Sequence, residues 1–307
     1  MTATQQELFE KQRQHHDTHY RRRLEDGTVE TWLDFDNADS WANTICMEDL
    51  RGFLEATPPK SFVTIADGKG GKEARFLTAL GHEALPTDLS VDVLAEAKAR
   101  GLISDFSKQD AQRLSFDDGS FDWALVKESL HHLPRPYSAL YEMLRVSREG
   151  AILIEPRYTP TRPQWGAKAC VGYLAARFLG IWRWAPRLPV SEDPVPPGTY
   201  EEAGNYVYQF SAYELMQLGL AAGICHVAYI SAHHIYQEGY DKIRGKALEN
   251  LKQEKQRWMK RFDEANGRDA APLLTFVYFK KAPSETQRRA LIDAGFHMPT
   301  LNPNPYV

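Results

Sequence analysis

Two rhythms of apolar and polar positions run along this chain. From residue 61, short β-rich runs alternate with stretches of helical spacing. Ser61–Ala66 (SFVTIA) is the first strand and ends in Asp67-Gly68-Lys69-Gly70-Gly71. A helix is predicted over Glu73–Leu80 and stops at Gly81. A weak strand follows at Glu83–Asp88, then a helix over Ser90–Arg100 with Gly101 as its stop. Ser104–Gln109 reads as a short strand and Phe121–Val126 as a buried one. Tyr137–Val146 is an amphipathic helix, and Gly150–Glu155 another buried strand. Further on, Ser211–Ala222 is a helix with Glu214 three residues after its capping Ser211. Cys225–Ser231 and Leu273–Lys280 are strands on either side of a long charged helix, Tyr240–Asn266. Strands alternating with helices predict an α/β fold with a parallel sheet.

Two stretches stand outside this rhythm. Residues 1–56 are charged and aromatic, with helical spacing at Leu8, Gln12, His15, His16 and His19. The basic run Tyr20-Arg21-Arg22-Arg23 is followed at once by Glu25 and Asp26, as on a solvated helix face. Residues 156–205 carry eight prolines and are far longer than a strand-to-helix connection, which marks a functional insertion. The expected plan is an N-terminal helical segment (1–56), a main domain (57–283) with a cap insertion (156–208), and a C-terminal helix and tail (284–307). The most apolar stretch, Ala169–Trp184, is shorter than a membrane span and contains Arg177 and Arg183. It reads as a buried or amphipathic helix, with a membrane-surface segment as the alternative and no integral span expected.

Composition narrows the class. The chain has 307 residues, 43% hydrophobic and 25% charged, which excludes a disordered chain or a disulfide mini-protein. A formal net charge of -4 leaves no basic footprint for nucleic acid. Cys46, Cys170 and Cys225 are far apart and lack metal-ligand spacing, so no metal and a reducing cytoplasm are expected. The polar start MTATQQELFEKQRQHH predicts no secretory leader.

The glycine loop after the first strand suits close approach of a ligand to backbone N–H groups at a helix start. Asp88, about twenty residues on at the end of the next strand, suits two ribose hydroxyls. Together Gly68, Gly70 and Asp88 point to a nucleoside-containing cofactor, a dinucleotide or S-adenosylmethionine. The dinucleotide pattern GxGxxG fails, because its third glycine position is Glu73. Asp110-Ala111 after the third strand suits an adenine edge, carboxylate to exocyclic amine and backbone N–H to ring nitrogen. The next strand leads into Glu128-Ser129-Leu130-His131-His132.

The pieces DAQRLSFDDGSFDWALVKESLHHL and GAILIEP resemble the class I S-adenosylmethionine-dependent methyltransferases, closest to their ubiquinone- and menaquinone-type group. The resemblance is tight over Val63–Pro156 and implies a Rossmann-like, seven-stranded, mostly parallel sheet with helices on both faces and its last strand antiparallel. It implies S-adenosyl-L-methionine as cofactor, held by Asp67, Gly68, Gly70, Asp88, Leu89, Asp110, Ala111 and Lys127. That group usually carries an acid two positions before the first loop glycine; here Ala66 stands there and Asp67 directly precedes Gly68. His131 or His132 is the expected general base, with a slight preference for His131, and Tyr206 and Tyr208 are expected to bind acceptor, with Trp182 and Trp184 as further candidates. The expected activity is O-methylation of a small-molecule acceptor, a saccharide, glycolipid or secondary metabolite. The alternatives are N- or C-methylation, or cofactor binding without transfer. The oligomeric state is open.

Overall fold

The computed structural model describes residues 3–158, 206–303 and 305. The chain divides into two units, Met1–Tyr158 with Tyr200–Val307, and Thr159–Thr199. The second unit, and with it most of the expected cap including Trp182 and Trp184, lies outside the described residues.

In the first unit, four helices precede the sheet: α1 (Ala3–Glu25), α2 (Val29–Leu33), α3 (Ala38–Thr44) and α4 (Arg51–Glu55), with a 3₁₀ segment at Ile45–Leu50. Strands and helices then alternate: β1 (Ser61–Ile65), α5 (Lys72–Ala79), β2 (Glu83–Asp88), α6 (Asp92–Ala99), β3 (Ser107–Lys108), β4 (Phe121–Lys127), α7 (Pro136–Val146) and β5 (Ser147–Pro156). After the undescribed segment come α8 (Ala212–Ala221), β6 (His226–Ala232), α9 (Gly245–Asn266), β7 (Leu273–Phe279) and α10 (Glu285–Asp293).

The seven strands form one sheet in the order β3-β2-β1-β4-β5-β7-β6. β1 to β5 run parallel, while β7 is antiparallel to both β5 and β6. The expected α/β class, strand count and antiparallel last strand are all present. The long charged helix predicted from Tyr240 starts later, at Gly245, after a 3₁₀ turn at Tyr240–Lys242.

Alternation along each strand feeds two cores. Val63, Ile65, Ala124, Val126, Leu153 and Phe276 face α7 and α8. Phe62, Trp123, Leu125, Ile152, Val277 and Phe279 face the other way, onto Met47, Leu50, Phe53 and Leu54 before the sheet and Leu291 of α10. Burial on both faces explains why β1, β4 and β5 read as continuous apolar runs. Strand order reverses between β1 and β4, which opens a crevice at their carboxyl ends.

Candidate functional site

The crevice is shaped by backbone that leaves the sheet sharply. Ala66 after β1 and Glu128 after β4 have φ of 55° and 47°. These are the two non-glycine residues in left-handed conformation among the described residues, and such outliers cluster at ligand sites. Glu128 is fixed there by its N–H donating to Ile154 O at 2.7 Å.

Between them runs the glycine loop. A Cβ on Gly68 would lie 2.4 Å from Asp88 Oδ2 and 2.8 Å from the Tyr20 hydroxyl, so only glycine fits. Gly70 and Gly71 have φ of 85° and 71° and carry the chain into α5. Asp67, expected to touch cofactor, turns inward instead. Its carboxyl accepts from the Ala74 N–H and the Thr64 hydroxyl, each at 2.9 Å, and so fastens the loop to α5. Burial pushes its pKa well above the carboxylate range, reinforced by Glu73. Burial opposes the Glu73 charge too, but Lys127, the hydrogen bond with Asp67 and Lys72 together outweigh it and lower that pKa. Lys127, also expected at the cofactor, lies in this buried network, with Nζ 3.4 Å from Glu73 and 3.1 Å from Glu128. Burial works against its charge, and the two glutamates more than offset that.

The cleft beside the loop is lined by Ala66, Asp88, Leu89, Asp110, Ala111, Ser129 and His132 from the strand ends, and by Phe9, Gln12, His16 and Tyr20 from α1. It is a cleft open to solvent, with about 620 Å³ of empty space when the mouth is included. Asp88 accepts from the Ser90 N–H at 2.8 Å, and burial pushes its carboxyl up to about 6. Asp110 accepts from the Gln112 N–H at 2.9 Å. This donor and acceptor set fits a nucleoside: a glycine cradle that a side chain would fill, a carboxylate for vicinal hydroxyls, and an Asp-Ala pair for a base edge.

The two histidines divide. His131 is buried, with Nδ1 2.7 Å from Glu155 Oε2. Glu155, 1% exposed at the end of β5, also accepts from the N–H groups of Ser129 and Leu130, at 3.0 and 2.9 Å. It therefore holds the 3₁₀ turn Leu130–His132 in place. His132 lines the cleft, its ring centroid 3.8 Å from that of His131. The slight preference for His131 thus meets the opposite geometry. Tyr208 donates its N–H to the His131 carbonyl at 3.1 Å, and its ring packs 5.0 Å from that of the exposed Tyr206. Neither tyrosine lines the nucleoside cleft; they stand behind the histidine turn.

Sequence reading missed Glu155 and the α1 residues. An acid closing an apolar strand is a signal, since a buried carboxylate needs partners. Phe9, Gln12, His16 and Tyr20 share one helix face by spacing alone. Among the described residues, no group of three or more His, Cys, Asp or Glu could hold a metal, and no helix is long and apolar enough to cross a membrane.

Residues 65–154 match the family model described as a methyltransferase domain. A demethylmenaquinone methyltransferase of Thermus thermophilus is 30% identical over 182 residues, 53% of this chain and 80% of that protein. One from Beutenbergia cavernae is 33% identical over 127 residues, 41% of this chain and 52% of that protein. A ubiquinone/menaquinone biosynthesis C-methyltransferase of a Ruegeria species is 28% identical over 117 residues, 36% of this chain and 47% of that protein. The Thermus protein apart, the chain spans about half the length of these relatives. With the strand order and the glycine cradle already in place, the chain belongs to the class I S-adenosylmethionine-dependent methyltransferases of the ubiquinone/menaquinone type.

Proposed function

We propose that the protein transfers the methyl group of S-adenosylmethionine to a ring carbon of a hydroxylated aromatic acceptor of the quinol class, with His132 as proton acceptor. The observation that carries this reading is that His132 shares one cleft with Asp88, Asp110 and Ala111. Relatives named for demethylmenaquinone and for quinone C-methylation favour a ring carbon over a hydroxyl oxygen. The saccharide or glycolipid acceptor expected from the sequence finds no support among them. Tyr206 and Tyr208 beside the histidine turn offer flat faces suited to an aromatic ring.

S-adenosylmethionine, when bound, supplies an electrophilic methyl on a cationic sulfur. Asp88 accepts from the ribose hydroxyls, while the Asp110 carboxylate and the Ala111 N–H take the adenine edge. Gly68 lets the backbone come close. The cleft's apolar walls, Phe9, Leu89 and Leu133, exclude water, which favours a reaction that disperses charge. His132 removes the proton from an acceptor hydroxyl, which enriches the ring carbons ortho and para to it. The ring carbon then takes the methyl as the methyl–sulfur bond breaks and S-adenosylhomocysteine is left. The methylated carbon gives up its proton to water as the His132 imidazolium returns its own to the ring oxygen, and the ring regains aromaticity. Glu155 keeps His131 and the turn in register, so that His132 stays aimed at the cleft.

The test uses a soluble 1,4-naphthoquinol and S-adenosylmethionine, with product identified by NMR. A ring C-methyl product is expected, and His132→Ala should lower kcat by roughly 10²–10⁴-fold while S-adenosylhomocysteine affinity holds. Methylation of oxygen alone, or a His132→Ala enzyme with unchanged kcat, overturns the assignment.

A further inference from the structure

Three lysines crowd the carboxyl ends of β1 and β4, and their charges are not equally matched. Lys72 Nζ lies 2.8 Å from Asp39 Oδ2, with its side chain 3% exposed. Lys127 is held by Glu73 and Glu128. Lys69, in the glycine loop, pairs with no carboxylate among the described residues; its Nζ stands 5.9 Å from the centroid of the Trp32 ring. The residue is open to solvent, yet protein crowds it enough for burial, followed by Lys127 and Lys72, to lower its pKa. Asp39 and Glu128 pull the other way, but each already serves another lysine. The start of the loop offers no acid, because Ala66 has none and Asp67 is turned onto Thr64 and α5. A partly desolvated cation beside two like charges is costly unless an anion meets it. The open side of Lys69 leaves that anion to come from a ligand.

Glu128 narrows the kind of anion. Burial works against its charge, and Lys127, His234 and His131 together outweigh that. Its negative charge acts on Lys69 without pairing with it, which disfavours a doubly charged group such as a phosphate. We propose that Lys69 is a carboxylate-binding residue beside the glycine loop; the proposal rests on the methyltransferase reading above. Two reactants can present a carboxylate there: the amino-acid end of the cofactor, and an acid carried on the acceptor ring. In either case Lys69 fixes the ligand through a charge-assisted hydrogen bond.

The experiment sets S-adenosylhomocysteine against methylthioadenosine, which lacks the amino-acid end, and a 1,4-naphthoquinol with a ring carboxylate against its carboxamide. Calorimetry on the full chain gives the first pair as a ratio of affinities, and kinetics the second as a ratio of kcat/KM. Lys69→Met removes the charge and keeps the stem. In this variant at least one ratio should fall by about tenfold, and Lys69→Arg should keep most of it. A fall in the first assigns Lys69 to the cofactor, and a fall in the second assigns it to the acceptor. If both ratios stay within about twofold of wild type, or if Lys69→Arg loses as much as Lys69→Met, the proposal is overturned. No calorimetric binding of either nucleoside to the wild-type chain overturns the methyltransferase reading itself, and this proposal with it.

Discussion

Asp88 was legible in the sequence as an acid at a strand end, but its energetics come from the fold. The carboxyl is buried beneath Tyr20 and beside Gly68, and burial raises its pKa from 3.8 to about 6. A raised folded-state pKa means that the native chain holds its proton longer than the unfolded one. This group's contribution to stability is thus full below pH 4 and is lost as pH rises through 6, by roughly 3 kcal/mol for a shift of about two units. Ribose hydroxyls are donors and favour the carboxylate. Ligand affinity should therefore fall as pH drops below 6, by up to about tenfold per pH unit. Calorimetry of S-adenosylhomocysteine between pH 5 and 7.5 checks this. Asp88→Asn should bind weakly and without that slope; a wild-type affinity flat across the range would remove Asp88 from the site. His131 and His132 show the limit of residue-level reading. Adjacent positions are chemically equal in the sequence, and only the carboxylate arriving from β5 tells them apart.

At the scale of elements, what was legible followed burial. β1, β4 and β5 sit inside the sheet and are apolar on both faces, so their runs stand out. β3, at the edge, shrinks to two residues and had little pattern to show. The turn after β4 depends on a partner 24 to 26 residues further along the chain. Glu155 gathers the N–H groups of Ser129 and Leu130 and the His131 ring into one buried carboxylate. Removing it leaves those donors without an acceptor in a dry place. Glu155→Ala should lower stability by roughly 2–4 kcal/mol and loosen the turn that aims His132. Urea unfolding measures the first effect, and a drop in kcat without a change in ligand affinity reports the second. A variant as stable as wild type would mean that the turn holds its own shape. α1 was legible as a helix but not as part of the site, because Phe9, Gln12, His16 and Tyr20 meet a cleft that exists only once four strand ends have come together.

Across the whole unit, the N-terminal helices do two kinds of work, and the boundary expected at residue 56 falls between neither. α1 lies at the cleft, and α2 packs on the glycine loop, with Leu33 reaching over Gly70. The stretch from Cys46 to Leu54 is instead core: Met47, Leu50, Phe53 and Leu54 are at most 1% exposed. Phe53 meets Trp123 of β4 and Phe279 of β7 edge-on, with ring centroids 5.6 and 5.8 Å apart. Those two strands flank β5, so one side chain from before the sheet closes the middle of its second face. The apolar positions in Ile45–Leu54 carried this in the sequence, but nothing local shows which surface they meet. Phe53→Ala should therefore cost about 3–5 kcal/mol, since the ring leaves a cavity that Trp123 and Phe279 cannot both fill. Equilibrium urea unfolding, followed by tryptophan fluorescence and by circular dichroism, should show one transition moved to lower urea by both probes. A loss below about 1 kcal/mol, or two separated transitions, would make the first 56 residues an appendage that folds apart from the sheet.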